Sequence, residues 1–168
     1  MLLSPHLTSY VDRTEVVITG TSDKMLGSAR AITRAHANLV HVLFLAGTEK
    51  KVMSVIHEIQ AIDPLVETTS VYISFDDLDS VRKATVEANS SVNKIDVLIS
   101  NTSMMTIQKY TTSKDCVEMM LATNCVGHFL LSKSFMDKIL APGKRYSWMK
   151  QSSFIRRPVK GVSTMVSA

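Results

Sequence analysis

Glu15-Val16-Val17-Ile18-Thr19-Gly20-Thr21-Ser22-Asp23-Lys24-Met25-Leu26-Gly27-Ser28-Ala29-Arg30 is the stretch that decides the fold. An apolar run meets a glycine, passes through a short polar loop and opens into a helix. Val16, Val17 and Ile18 read as a parallel strand covered on both faces, which is why the run is continuously apolar. Gly20 permits a tight turn. Thr19, Thr21 and Ser22 place hydroxyls beside backbone N–H groups, and Gly27 lets the helix lie close to the strand. Such a turn presents a helix N-terminus to a pyrophosphate and so points to a dinucleotide. Thr-Gly before a helix is also an ordinary strand-to-helix connection, so the motif alone leaves both readings open.

Working outward, the chain alternates strand and helix. Ser28 to Ala37 reads as a helix and Val40 to Ala46 as a second buried strand. Val52, Val55, Ile56, Ile59 and Ile62 recur at helical spacing until Asp63-Pro64 ends the helix. Val66 to Phe75 is a third strand, with Val71, Ile73 and Phe75 alternating. Asp77 or Asp79 can cap a helix whose buried face runs along Val81, Ala84, Thr85 and Ala88. Ile95 to Ile99 is a fourth strand, and a long helix, continuous or interrupted, spans about Asp115 to Leu140. These β-α steps imply an α/β fold, a doubly wound parallel sheet of Rossmann type. Right-handed crossovers bring the ends of the first and fourth strands to one crevice, the usual ligand position in such sheets.

Bulk properties narrow the class. A chain of 168 residues, 45% hydrophobic and 20% charged, suits one globular domain that buries roughly two-thirds of its unfolded surface. Met1 to Tyr10 lacks the pattern of a signal peptide, and no apolar run approaches the length of a membrane span. Cys116 and Cys125 have neither metal-ligand spacing nor a disulfide framework, so no metal is expected and a cytoplasmic setting is the default. The net charge of +4 is uneven: seven of the 19 Lys and Arg lie from Lys138 onward, while all 15 Asp and Glu precede that point. Without interleaved aromatics or a helical face, this basic end reads as a solvated tail rather than a nucleic-acid or membrane contact. The expected organisation is a dinucleotide-binding domain over 1–143 and a basic tail over 144–168.

Three blocks in order resemble the short-chain dehydrogenase/reductase family, particularly its fungal branch with an extra residue in the glycine loop. Thr19 to Gly27 resembles the glycine loop. Ile95-Asp96-Val97-Leu98-Ile99-Ser100-Asn101-Thr102-Ser103 resembles the fourth strand and its Asn-Asn-Ala-Gly turn. Ala122-Thr123-Asn124-Cys125-Val126-Gly127-His128-Phe129-Leu130-Leu131 resembles the helix that carries the family's active-site asparagine. The resemblance covers about Val16 to Gly143. It implies hydride transfer between NAD(P) and an alcohol or carbonyl carbon of a small-molecule substrate, with a homo-oligomer as one assembly and no nucleic-acid partner.

Carried over residue by residue, the resemblance assigns Gly20, Ser22, Leu26 and Gly27 to the cofactor's phosphates and ribose, and Asn101 to the adenine ribose. Asn124 matches the asparagine that bends its helix and holds a proton-relay water, and Lys133 falls where the family places a polar residue near the site. His128 reads as a packed helix residue rather than a base. Departures accompany these matches. Met25 stands in place of the second loop glycine, Ser74 in place of an adenine-reading aspartate, and Thr102-Ser103 in place of Ala-Gly. Thr48 occupies the position of an arginine for the 2′-phosphate. Lys50 or Lys51 can substitute there and no acid sits at the strand end, so NADP is favoured over NAD.

The family's chemistry needs a tyrosine with a lysine four residues later, on successive turns of one helix. Tyr146-Ser147-Trp148-Met149-Lys150 has that spacing, and Tyr146 and Lys150 are the candidate pair. They follow Ala141 to Arg145, where relatives begin the fifth strand that must precede the catalytic helix, so chance spacing is the competing explanation. Ser152 or Ser153 fits the family's serine loosely. Gly161 to Ser167 is a second choice of fifth strand, with Ser167 as the serine. The resemblance thus implies a sheet truncated after about its fifth strand and an activity that is weak or lost. A non-catalytic nucleotide- or partner-binding remnant is the alternative.

Overall fold

The computed structural model describes residues 14–20, 39–104, 109–140 and the backbone of 148–151. Five strands form one parallel sheet in the order β3-β2-β1-β4-β5: β1 Thr14–Thr19, β2 Leu39–Ala46, β3 Glu67–Tyr72, β4 Val97–Ser100 and β5 Trp148–Gln151. The switch in strand order falls beside β1, whose Val16, Val17 and Ile18 pair with β2 on one side and with Val97, Leu98 and Ile99 of β4 on the other. The ends of β1 and β4 therefore meet, as the crossovers predict.

Side chains from alternate strand positions fill two cores. Val16, Ile18, Val42, Phe44 and Ala46 face Val52, Val55, Ile56 and Ile59 of α1, Glu49–Ile62. Val17, Leu43, Leu45, Val71, Ile73 and Leu98 face the opposite layer. That layer holds Val81, Ala84 and Ala88 of α2, Leu78–Ser91, with Leu131 and Phe135 further along the chain. Each of the Val, Leu, Ile and Phe side chains contributes about 1.5–3 kcal/mol by leaving water. Burial on both faces explains the unbroken apolar runs of β1 and β2.

Helix ends follow local chemistry. Asp77, rather than Asp79, caps α2, accepting from the N–H groups of Asp79 and Ser80 at 3.0 and 3.1 Å. Thr85 completes the buried face of α2 as expected. Ile62, on the last turn of α1, is largely exposed instead of buried. The long helix starts later than Asp115, because Ser113 to Glu118 form a turn. There Ser113 Oγ accepts from the N–H groups of Asp115 and Val117, and Cys116 adopts a φ of 59°. Helix α3 then runs over 119–134, opening with Glu118 as its cap and widening over Ala122–Val126, where the Gly127 N–H reaches back five residues to the Ala122 carbonyl. A break at Phe135 separates it from a single turn, α4, Met136–Ile139.

β5 lies inside the 144–168 segment that the sequence sets apart as a tail, so the sheet extends past residue 143. Trp148-Met149-Lys150-Gln151 carries no apolar run, and a strand at the outer side of a sheet needs none. Ser28 to Ala37, the expected helix after the glycine loop, lies outside the described residues.

Candidate functional site

The crevice is built by three segments: the end of β1, the turn after β4, and the widened part of α3. Thr19 Oγ1 is fully buried and accepts from the N–H groups of Asn101 (2.9 Å) and Thr102 (3.1 Å). It donates to the Ile99 carbonyl at 3.5 Å. The hydroxyl expected beside backbone N–H groups is turned inward onto the β4 turn, which would otherwise bury two unpaired N–H groups.

Gly20 follows at φ +72°, the left-handed region where a side chain is strained. A Cβ there would also lie 2.6 Å from Thr102 Oγ1 and 2.9 Å from Thr102 Cα. Both conditions require glycine. The Gly20 N–H donates to the Leu45 carbonyl at 2.9 Å, and the Gly20 carbonyl accepts from Asn101 Nδ2 at 3.4 Å. Gly20 and Asn101 thus sit half-buried at the shared mouth of β1 and β4.

Asn124 closes the crevice from the other side. Its Oδ1 accepts from the Met104 N–H at 2.7 Å, and its Nδ2 donates to the Met104 carbonyl at 2.9 Å. Asn124 lies within the widened turn, so the widening of α3 and the grip on the β4 loop share one residue. One turn on, the buried His128 Nε2 is 2.8 Å from the Thr102 carbonyl. A carbonyl can only accept, so Nε2 carries the proton. The ring stacks on Phe75, centroids 4.3 Å apart. Burial first, against a smaller opposing effect of the Thr102 carbonyl, pushes the His128 pKa below the usual histidine value. His128 is a neutral, packed donor, as its sequence context indicates. Gly127 admits this packing, since a Cβ on it would lie 2.7 Å from Phe75 Cδ1.

The remaining candidates separate. Lys133 is exposed and lies nine residues beyond Asn124, near the end of α3. Lys150 falls within β5, paired with Ile99. Residues advance about 3.3 Å each along a strand, whereas four residues on a helix rise only about 6 Å. β5 therefore withholds the one-helix geometry that a tyrosine–lysine pair needs. Ser22, Leu26, Gly27 and Tyr146 lie outside the described residues, as do Ser152, Ser153 and Ser167. Ser74 hydrogen-bonds Asp76 through its hydroxyl.

Sequence reasoning missed two links: the inward Thr19 clasp and the contact from His128 to Thr102. Gly127 and His128 stood in the block around Asn124, but nothing local reveals that their partners are Phe75 and Thr102.

The short chain dehydrogenase family matches residues 14–146. The chain belongs to that family. Among curated relatives, it is 28% identical over 123 residues to the oxidoreductase fscI of Fusarium equiseti and 31% identical over 126 residues to the chloroplastic protochlorophyllide reductase of Daucus carota. Those alignments take in 73% and 74% of this chain but only 48% and 31% of the relatives, so the chain spans half their length or less. Among solved structures, levodione reductase superposes with a TM-score of 0.62 at 15% identity, over 83% of this chain and 53% of that one. L-sorbose reductase from Gluconobacter frateurii, in complex with NADPH and L-sorbose, gives 0.59 at 18% identity, over 75% and 47%. At such identities these two establish the Rossmann-type fold alone.

Among the described residues, no helix is long and apolar enough to cross a membrane.

Proposed function

We propose that this chain holds NADP at the β1–β4 crevice and takes part in oxidoreduction at an alcohol or carbonyl carbon of a small metabolite. The observation that carries the reading is the Thr19–Gly20–Asn101 junction, where two strand ends are locked together and a side-chain-free residue stands at the mouth. That mouth fits a dinucleotide, whose phosphates need close backbone approach. Gly20, with Ser22, Leu26 and Gly27 beyond it, would hold the phosphates and ribose, and Asn101 the adenosine side. When bound, the nicotinamide supplies or accepts the hydride. Asn124 acts as a positioning residue that fixes the β4 loop against α3.

Thr48, exposed at the start of α1 with no side-chain cap bond, and Lys50 in its first turn support NADP over NAD. The reading includes a cytoplasmic setting and self-association, without a nucleic-acid partner. One observation favours a second reading, in which the chain binds nucleotide without turnover: Lys150 lies in a strand rather than on a helix beside Tyr146.

Titration of the purified protein with NADPH and NADH, followed by nicotinamide fluorescence and thermal shift, tests the proposal. Saturable micromolar binding is expected, tighter for NADPH, with about 2.7 kcal/mol of stabilisation at a hundredfold excess over Kd. No binding at millimolar cofactor would refute it. Binding without reduction across a broad ketone panel would select the second reading.

A further inference from the structure

His128 makes a contact that simple core packing does not require. Its Nε2–H holds the carbonyl of Thr102, the residue whose N–H is clasped by Thr19 and whose side chain abuts Gly20. Its other nitrogen, Nδ1, is buried and has no hydrogen-bond partner among the described residues. In the neutral ring this costs an acceptor little. In the imidazolium it would leave a buried N–H and a charge without a partner, and such a state is relieved by moving the ring out.

We propose that His128 is a positioning residue for dinucleotide binding: neutral, it locks the Asn101–Thr102 turn against Gly20, and protonation releases that turn and weakens the crevice. This rests on the dinucleotide reading of the crevice. Among the described residues, no carboxylate compensates the protonated ring. On the loop carrying Phe75, Asp76 is engaged by the Ser74 hydroxyl and Asp77 by Lys114 and the first N–H groups of α2. On the β4 turn, Asn101, Thr102 and Ser103 carry no charge. On α3 itself the nearest ionisable neighbours are Cys125, three residues back, and Lys133, five residues on, and both are exposed.

The test compares wild type with His128→Gln, whose amide keeps a donor near the Nε2 position but does not titrate, and with His128→Leu, which has no donor. NADPH affinity is measured between pH 7.5 and 5.5, and amide exchange at Asn101 and Thr102 is followed without ligand, corrected for intrinsic rates. Titration of the ligand's own 2′-phosphate is common to all proteins and cancels in the ratio of wild type to His128→Gln. Wild type is expected to lose about tenfold more affinity on acidification than His128→Gln, within the usual range for coupled sites. Its Asn101 and Thr102 protection should fall in parallel, while His128→Leu is weak and unprotected at both pH values. Equal pH profiles for wild type and His128→Gln, or protection in wild type that ignores pH, would overturn the proposal. If no protein binds NADPH at pH 7.5, the dinucleotide reading fails by itself. The exchange data then stand alone: loss of protection in acid upholds the lock, and its persistence overturns it.

Discussion

Replacing Thr19 by valine removes one hydroxyl and almost no volume, so it isolates the clasp between β1 and the β4 turn. Two backbone donors, Asn101 N–H at 2.9 Å and Thr102 N–H at 3.1 Å, lose their acceptor. A buried donor left unpaired costs about 1–3 kcal/mol. Both lie where one side of the turn is only half-buried, so water recovers part of this, and the expected loss is about 2–3 kcal/mol. Thr19→Ser is the control. It keeps the hydroxyl and deletes a buried methyl, worth about 1 kcal/mol. In urea unfolding Thr19→Val should therefore be the less stable of the two, and in thermal unfolding its Tm should fall by about 6–8 °C from wild type for a chain of this size. A Thr19→Val protein as stable as Thr19→Ser would show that the hydroxyl clasp does not hold the turn, and the account of the crevice would fall with it.

Gly127→Ala should destabilise by about 1–3 kcal/mol through overpacking on Phe75, although alanine is the better helix former by about 1 kcal/mol; adding Phe75→Leu should restore part of the loss in denaturant titrations. Asn124→Leu should cost about 2–3 kcal/mol, since the N–H and carbonyl of Met104 lose their partners together, and unchanged urea midpoints would contradict this. For His128 the folded pKa lies below the unfolded one, so the unfolded chain binds more protons between the two values. Its contribution is complete above about pH 6.5, the ordinary histidine value, and is lost as pH falls toward the lowered one; unfolding free energies of wild type should slope more steeply across that window than those of His128→Gln. Lys150→Met should leave NADPH affinity and any ketone reduction within about twofold, and a hundredfold loss of turnover would reinstate Lys150 as a catalytic group.

Elements whose logic is local were legible in the sequence. The apolar runs of β1 and β2, the stop at Asp63-Pro64 and the buried face of α2 all follow from neighbours a few residues apart. β5 was harder, because among the described residues it pairs with β4 alone and it carries no apolar run. The spacing of Tyr146 and Lys150 suggested a helix, yet Lys150 lies in a strand, and spacing alone does not distinguish the two. The crevice was legible as a place: Gly20, Asn101 and Asn124 were each marked. What they grip was not, since the partners of Thr19, Asn124 and His128 stand 20 or more residues away in the chain. Lys133 was assigned by likeness, and it stands exposed near the end of α3.

The central position of β1 has a consequence for how the chain is made. Val16 pairs with a β2 residue, Val42, and also with Val97 of β4, which lies far later in the sequence. At ribosomal speeds of about 5–20 residues per second, some 4–16 s separate the emergence of β1 from that of its second partner. Throughout that interval the future centre of the sheet is an apolar edge with open N–H and C=O groups. Contacts of such long sequence separation also close slowly once available. The nascent β1–β2–β3 unit is thus the species on which holding chaperones and aggregation compete, and yield in the cell is decided before the crevice exists.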